Sequence, residues 1–178
     1  MKFHKQRFRH NPARGIHSDC HRAALASVFD LELDDVPNFA DGNPSAADFN
    51  TRVETWLGSR NVTAVNIPFA GSLTEALYAM DHASSCAFWI VGGRDSAGYR
   101  HTVVARRGGV IHDPSPDRYG SLRPCADGYF WGTLLVLRDP EKLTLERAGV
   151  LVRPWRQRVA DWWKRFTDIA VQVMEDAN

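Results

Sequence analysis

His17-Ser18-Asp19-Cys20-His21-Arg22-Ala23-Ala24-Leu25-Ala26-Ser27-Val28-Phe29 is the stretch on which the fold turns. Ser18 and Asp19 are residue types that cap helices, and the Ala- and Leu-rich run behind them is strongly helix-forming. Cys20 therefore falls in the first turn of a helix that buries Leu25, Val28 and Phe29. A thiol in that position meets unpaired backbone N–H groups and the positive end of the helix dipole, which stabilise the thiolate. The opposing reading is that Cys20 is a small buried hydrophobe, as free cysteines commonly are.

Upstream, residues 1–19 are polar, basic and broken at Asn11-Pro12 and Gly15, which predicts an extended lead-in with a turn. Downstream, 30–44 is acidic and turn-rich around Val36 and Phe39. Glu32, Asp34 and Asp35 read as a solvated turn or as the edge of a cleft for a basic substrate. Ser45 caps a second helix that carries Phe49, Val53, Trp56 and Leu57 at helical spacing and ends at Gly58 and Asn61. A strand follows over 63–69, and Ser72 caps a third helix through Leu73, Leu77 and Met80. The apolar run 86–91 lies between Ser84-Ser85 and Gly92-Gly93, so it predicts a buried strand with Cys86 in the core.

Residues 99–105 and 110–113 predict a hairpin, and 133–137 a further strand. A three-residue loop Arg106-Arg107-Gly108 would set His101 directly across from Asp113. Loops centred on Gly108 or on Gly108-Gly109 would slide that pairing by two or three residues. A carboxylate beside an imidazole fixes its tautomer and favours the imidazolium, which a thiolate partner requires. His17 and His21 flank Cys20 as competing bases, but adjacent helical positions point apart. His112 alternates with Asp113 and faces the other way. His4 and His10 have no ligand partners at metal spacing, so neither a metal nor a cofactor is expected.

His17-Ser18-Asp19-Cys20 with 23–28 behind it resembles the nucleophile helix of papain-like cysteine peptidases, especially the bacteriocin-processing kind. His101-Thr102-Val103-Val104 and Val110-Ile111-His112-Asp113-Pro114 resemble their His and Asp strands, and are similar to the transglutaminase-like core. Asp19-Cys20-His21-Arg22-Ala23, Asp34-Asp35-Val36-Pro37-Asn38-Phe39 and His112-Asp113-Pro114 look like small bacteriophage-encoded members of that superfamily. The resemblance spans about residues 4–138. It implies an α+β, papain-like fold, with a nucleophile helix packed on an antiparallel sheet. It also implies a cysteine hydrolase or acyltransferase acting on peptide or amide bonds, with Cys20 as nucleophile, His101 as base and Asp113 as its orienting group. Two departures stand out: the family pattern has Gly after the nucleophile and Gln six residues before it, where this chain has His21 and Arg14. The oxyanion donor would then be Gln6, with Asn11 as second choice and the Cys20 N–H as partner. The alternative from another class is a catalytically silent binding module that engages a host protein, or a virion component.

Composition narrows the field. The 178 residues are 44% hydrophobic and 24% charged, which excludes wholesale disorder, collagen-like and coiled-coil chains. Twenty-two Lys and Arg against 21 Asp and Glu give a charge of +1, so nothing global points to nucleic acid. No apolar run is long enough for a membrane span or a cleaved signal. Three cysteines without a CxxC pair argue against disulfides and structural zinc and for a reducing cytoplasm, the host's if the chain is phage-encoded. Cys125, beside Pro124 and Asp127-Gly128, reads as an exposed loop thiol. The domain expectation is a catalytic unit over 1–143 and an extension over 144–178. In the latter, Trp155, Val159, Trp162, Trp163, Phe166, Ala170 and Val173 mark an amphipathic helix after Pro154, suited to self-association or partner binding.

Overall fold

In the computed structural model, residues 1–115 and 122–139 are described; the amphipathic helix expected over 154–174 and the extension over 144–178 lie outside them. Helix α1, Cys20–Phe29, is buried from Arg22 to Phe29 on every side. A helix without a polar face belongs between other layers, and α1 packs on the sheet. It ends in a Schellman closure: Asp30 N–H donates to the Ser27 carbonyl and Leu31 N–H to Ala26. Asp30 itself takes the left-handed conformation, φ 57°, where glycine is usual.

Helix α2 spans Ala46–Gly58 and α3 spans Leu73–Ala83, and their caps are those the sequence signals. Ser45 Oγ accepts from Asp48 N–H, and Ser72 forms a reciprocal capping box with Glu75. Five strands, β1 Val62–Phe69, β2 Trp89–Arg94, β3 Arg100–Arg106, β4 Gly109–His112 and β5 Phe130–Leu137, form one sheet in the order β1-β5-β2-β3-β4. Every neighbouring pair is antiparallel. The architecture is α+β, with α1 and α2 covering one face and α3 the other. Val62, Ile90 and Val104 meet α1 and α2, whereas Trp89, Val91, Val103 and Ala105 meet α3. Two-sided burial is why the central strands read as unbroken apolar runs rather than alternating ones. Among the described residues, no helix is long and apolar enough to cross a membrane.

Three expectations need correction. Strand β2 starts at Trp89, and Cys86 is an exposed turn thiol rather than a core residue, because the chain uses 84–88 to reverse from α3 into the sheet. Gly92-Gly93 lies within β2, opposite Thr102 and His101, rather than in a turn. Glycine is needed at 93 because the Leu122-Arg123 segment presses on it; a Cβ there would stand 2.6 Å from the Arg123 carbonyl oxygen. The β3–β4 turn is the two-residue Arg107-Gly108, both at positive φ (52° and 70°), not a three-residue loop. Gly109 already belongs to β4.

The lead-in behaves as a strap. Gln6 N–H donates to Pro114 O at 2.9 Å, and Lys5 Nζ donates to the carbonyls of Asp113 and Ser115, each at 2.8 Å. Asp19 Oδ1 accepts from the amides of Arg7 (2.9 Å) and Phe8 (2.8 Å). Its other oxygen faces buried Arg22, which also holds Val36 O at 2.6 Å and Asp34 at 3.2 Å. Glu32 pairs with Lys2 and Asp34 with Arg7, so the acidic turn anchors the strap rather than edging a cleft.

Removing the Asp19 carboxylate strands two amides and a buried guanidinium. Asp19→Ala should cost about 3–5 kcal/mol, the range for breaking a buried ion pair from one side. Asp35→Ala, at an exposed position, should stay within about 0.5 kcal/mol. Urea denaturation midpoints of the two variants check this, and equal midpoints would refute it.

Candidate active site

Cys20 is the first residue of α1 and is buried. Asp19 occupies the cap position but makes no side-chain cap bond, because its carboxylate is spent on the strap and Arg22. Ser18 Oγ instead accepts from Cys20 N–H at 3.3 Å. His101 lies within electrostatic reach of the thiol, and Ser18 and Thr102 flank it. His101 Nε2 lies 2.7 Å from Asp113 Oδ1, which leaves Nδ1 as the ring nitrogen to serve the sulfur. Asp113 is fixed in turn by Ser115 N–H, at 2.8 Å. The structure thus hydrogen-bonds two sequence-predicted residues, His101 and Asp113, and brings Cys20 within their electrostatic reach.

Each charge state has an identifiable cause. Burial pushes the Cys20 thiol up, but the hydrogen bond and charge of His101, then Ser18 and Thr102, bring it below the ordinary thiol value. Burial likewise pulls His101 down, and Asp113 and Cys20 more than reverse this, raising it to about 10. Burial raises Asp113, while His101 and the Ser115 amide bring it below the usual carboxylate range. The combination favours a thiolate–imidazolium pair at neutral pH.

The His101–Asp113 contact is made differently from the expected register. Beyond the turn, Ala105 pairs with Val110 but Val104 pairs with His112, so Ile111 is an extra residue in β4. Continued past His112, the register brings Asp113 opposite Val103. It becomes a diagonal neighbour of His101 on the same face rather than its direct partner. Without the bulge, Asp113 would fall opposite Thr102 and point through the other face. The bulge is what aims the carboxylate.

The remaining candidates separate by environment. Gln6 is buried beside the site but one step removed from the sulfur: its Oε1 accepts from Ser18 Oγ at 3.4 Å, and its Nε2 donates to Phe8 O at 3.2 Å. Asn11 is exposed in the lead-in turn, bridged to Ile16. His21 packs edge-on against Phe39 and Phe49, with the nearer ring at 5.5 Å; burial lowers it to about 4, so it is neutral. His17 sits 5.4 Å from His10, which stacks on Tyr99 at 4.4 Å. His112 packs on Phe3, and its Nε2 hydrogen-bonds with His4 O at 2.8 Å, away from the thiol. Thr102 and Ser115 are contributors that sequence reasoning missed; only adjacency to His101 and Asp113 could have signalled them. Among the described residues, no three His, Cys, Asp or Glu side chains gather to hold a metal ion.

Two clefts meet at the pair. One, of about 410 Å³, has Cys20, Ser18, His17, Phe49 and Tyr99 on its walls. The other, of about 500 Å³, has His101, Gly92, Arg94, Trp131 and Thr133. His21, Ala46, Arg100 and Thr102 belong to both, so the two form one groove past the sulfur. Cys125 is half-buried in the second cleft, which corrects its expected exposure; burial and then Asp127 raise its thiol.

The stability contributions of the pair have opposite pH signs. The folded value of His101 lies above the unfolded 6.5, so its contribution is complete below pH 6.5 and lost as pH rises to about 10. The folded value of Cys20 lies below 9.0, so its contribution is complete above pH 9 and lost as pH falls through the lowered value. Between pH 6.5 and 9 the two effects offset, because the unfolded chain keeps the thiol proton while the folded chain keeps the imidazolium proton. The melting-temperature gap between the native chain and His101→Gln should therefore stay nearly constant over that window, and a gap that narrows steadily across it would contradict the paired charges. No protein-family model matches the chain, and no curated protein and no solved structure matches it.

Proposed function

We propose that the chain is a papain-like cysteine hydrolase or acyltransferase acting on peptide or amide bonds. The observation that carries this reading is the chain Cys20–His101–Asp113, set at a helix start and opening onto a groove. The Cys20 thiolate attacks the carbonyl carbon, and the C=O electron pair moves onto oxygen. His101 then gives its proton to the departing amine as the C–N bond breaks, leaving a thioester on Cys20 and a neutral imidazole. In the second half, His101 takes a proton from water or from an acceptor amine as it attacks the thioester; the C–S bond breaks, regenerating the Cys20 thiolate and releasing a carboxylic acid or a new amide. Asp113 holds the ring in one tautomer throughout and balances the imidazolium.

The oxyanion needs donors near the first turn of α1. Gln6 retains one amide hydrogen beyond its bond to Phe8 O, and Cys20 N–H is held only by Ser18 at 3.3 Å. A small movement of Ser18 would free the Cys20 N–H toward substrate. Loss of such a donor costs about a hundredfold to a thousandfold in rate.

At pH 6 an ordinary thiol is almost wholly protonated, so alkylation reports thiolate character. Iodoacetamide should modify Cys20 at least tenfold faster than Cys125, whose burial raises it, and faster than exposed Cys86. Asp113→Ala should lower the Cys20 rate about tenfold at that pH while leaving Cys86 unchanged. Peptide mapping by mass spectrometry reads all three sites, and Cys20 no faster than Cys125 would sink the proposal. Cys20→Ala should keep the native melting temperature within a few degrees and abolish turnover of any substrate found with a thiol-directed probe.

A further inference from the structure

Taking Cys20 as the nucleophile, we infer that the groove on the His101 side recognises a carboxylate of its peptide substrate through Arg94 and Arg100. These residues are direct cross-strand partners at the end of the β2–β3 ladder. Like charges placed opposite each other destabilise a sheet, and among the described residues neither arginine makes an ion pair. Two carboxylates lie nearby: Asp127 lines the same cleft and feels the charge of Arg100 without forming an ion pair with it, and both it and Asp95 accept from other donors. Asp127 accepts from Tyr129 N–H at 3.1 Å and from Trp131 Nε1 at 2.9 Å, and Asp95 accepts from Tyr99 N–H at 2.9 Å. Both arginines line the 500 Å³ cleft beside His101, and Arg100 also lines the cleft onto which Cys20 opens.

The surroundings suit an extended acidic peptide. Ile90, Gly92, Arg94, Arg100 and Thr102 follow the register of one sheet face, so the groove floor runs from the sulfur toward the arginines. Gly92 keeps that floor open; a Cβ there would meet nothing closer than Trp131, at 3.7 Å. Paired guanidinium groups match a carboxylate's planar geometry and can bind it through parallel N–H bonds. The ligand is therefore an acyl donor or acceptor with a carboxylate on the His101 side of the reacting bond, from an acidic side chain or a chain terminus.

The test compares the rate at which Cys20 is modified by N-ethylmaleimide and by a maleimide bearing a carboxylate tail, at low salt. The anionic reagent should be the faster with the native chain. Arg94→Gln and Arg100→Gln should each cut the anionic-to-neutral rate ratio about tenfold, the usual strength of one charge-assisted hydrogen bond. Neither change should lower the melting temperature, since each removes a like-charge contact, and Arg100→Lys should retain part of the ratio. A ratio that both Gln variants leave unchanged, with Cys20 still fast, overturns this inference and leaves the nucleophile assignment standing. Cys20 no faster than Cys125 with either reagent overturns both. Succinate should slow the modification of Cys20 and inorganic phosphate should not; slowing by phosphate alone overturns the carboxylate assignment. To separate the two sources, an amidated peptide with internal glutamates and a neutral peptide with a free C-terminus are compared as protectants. Protection by either supports the site and names its ligand; protection by neither overturns it.

Discussion

A buried sulfur and a buried imidazole, each favouring the other's charged form, are the interaction around which the rest of this structure is arranged. Removing two charges from water costs several kcal/mol each, and mutual attraction repays that only where further hydrogen bonds finish the job. Here Asp113 supplies one to the ring and the Ser115 amide steadies the carboxylate, while Ser18 and Thr102 favour the charged form of the sulfur. The helix start adds a favourable field without placing another side chain in the groove. No single partner suffices, because burial opposes the charged form of both Cys20 and His101.

The lead-in segment ties the two halves of this arrangement together. Its amides at Arg7 and Phe8 end on Asp19, one residue before the thiol. Gln6 N–H and Lys5 Nζ end on Pro114, Asp113 and Ser115, next to the carboxylate that faces His101. The strap thus spans from α1 to the far edge of the sheet. Its anchor, Asp19, sits on the same helix turn as Cys20, so rigidity in the strap is rigidity in the site. This also explains why Asp19 does not cap α1: the carboxylate does more by holding two strap amides and Arg22 than it would by holding one helix N–H.

What the sequence revealed, and what it hid, follows from the range of the forces involved. Helix caps are local: Ser45 and Ser72 announce their helices because the bond they make spans three residues. The place of Cys20 at a helix start was legible for the same reason, since Asp19, Cys20 and the alanines behind them are consecutive. The pairing of His101 with Asp113 was legible in kind but not in register. A turn of two residues plus one bulged Ile111 gives the same face as a turn of three, and no residue type distinguishes them. Gly92-Gly93 looked like punctuation because the segment that presses on Gly93 comes from Leu122-Arg123, about thirty residues away. Thr102 and Ser115 were silent for a similar reason: hydroxyls and amides become site groups only when folding puts them there.

Two imidazoles face the same groove in opposite charge states, and the contrast settles which of them can serve the sulfur. His21 follows Cys20 directly, and its ring rests against Phe39 and Phe49, so burial there is uncompensated and its value falls to about 4. His101 is as far in sequence as His21 is near, yet it meets a carboxylate and a thiol and rises to about 10. A base whose conjugate acid is that strong cannot hold a proton at neutral pH, whereas one matched to a carboxylate holds it. The aromatic packing of His21 therefore does chemical as well as structural service: it keeps a second cation out of the groove, so that the positive charge beside the sulfur belongs to the ring that Asp113 orients.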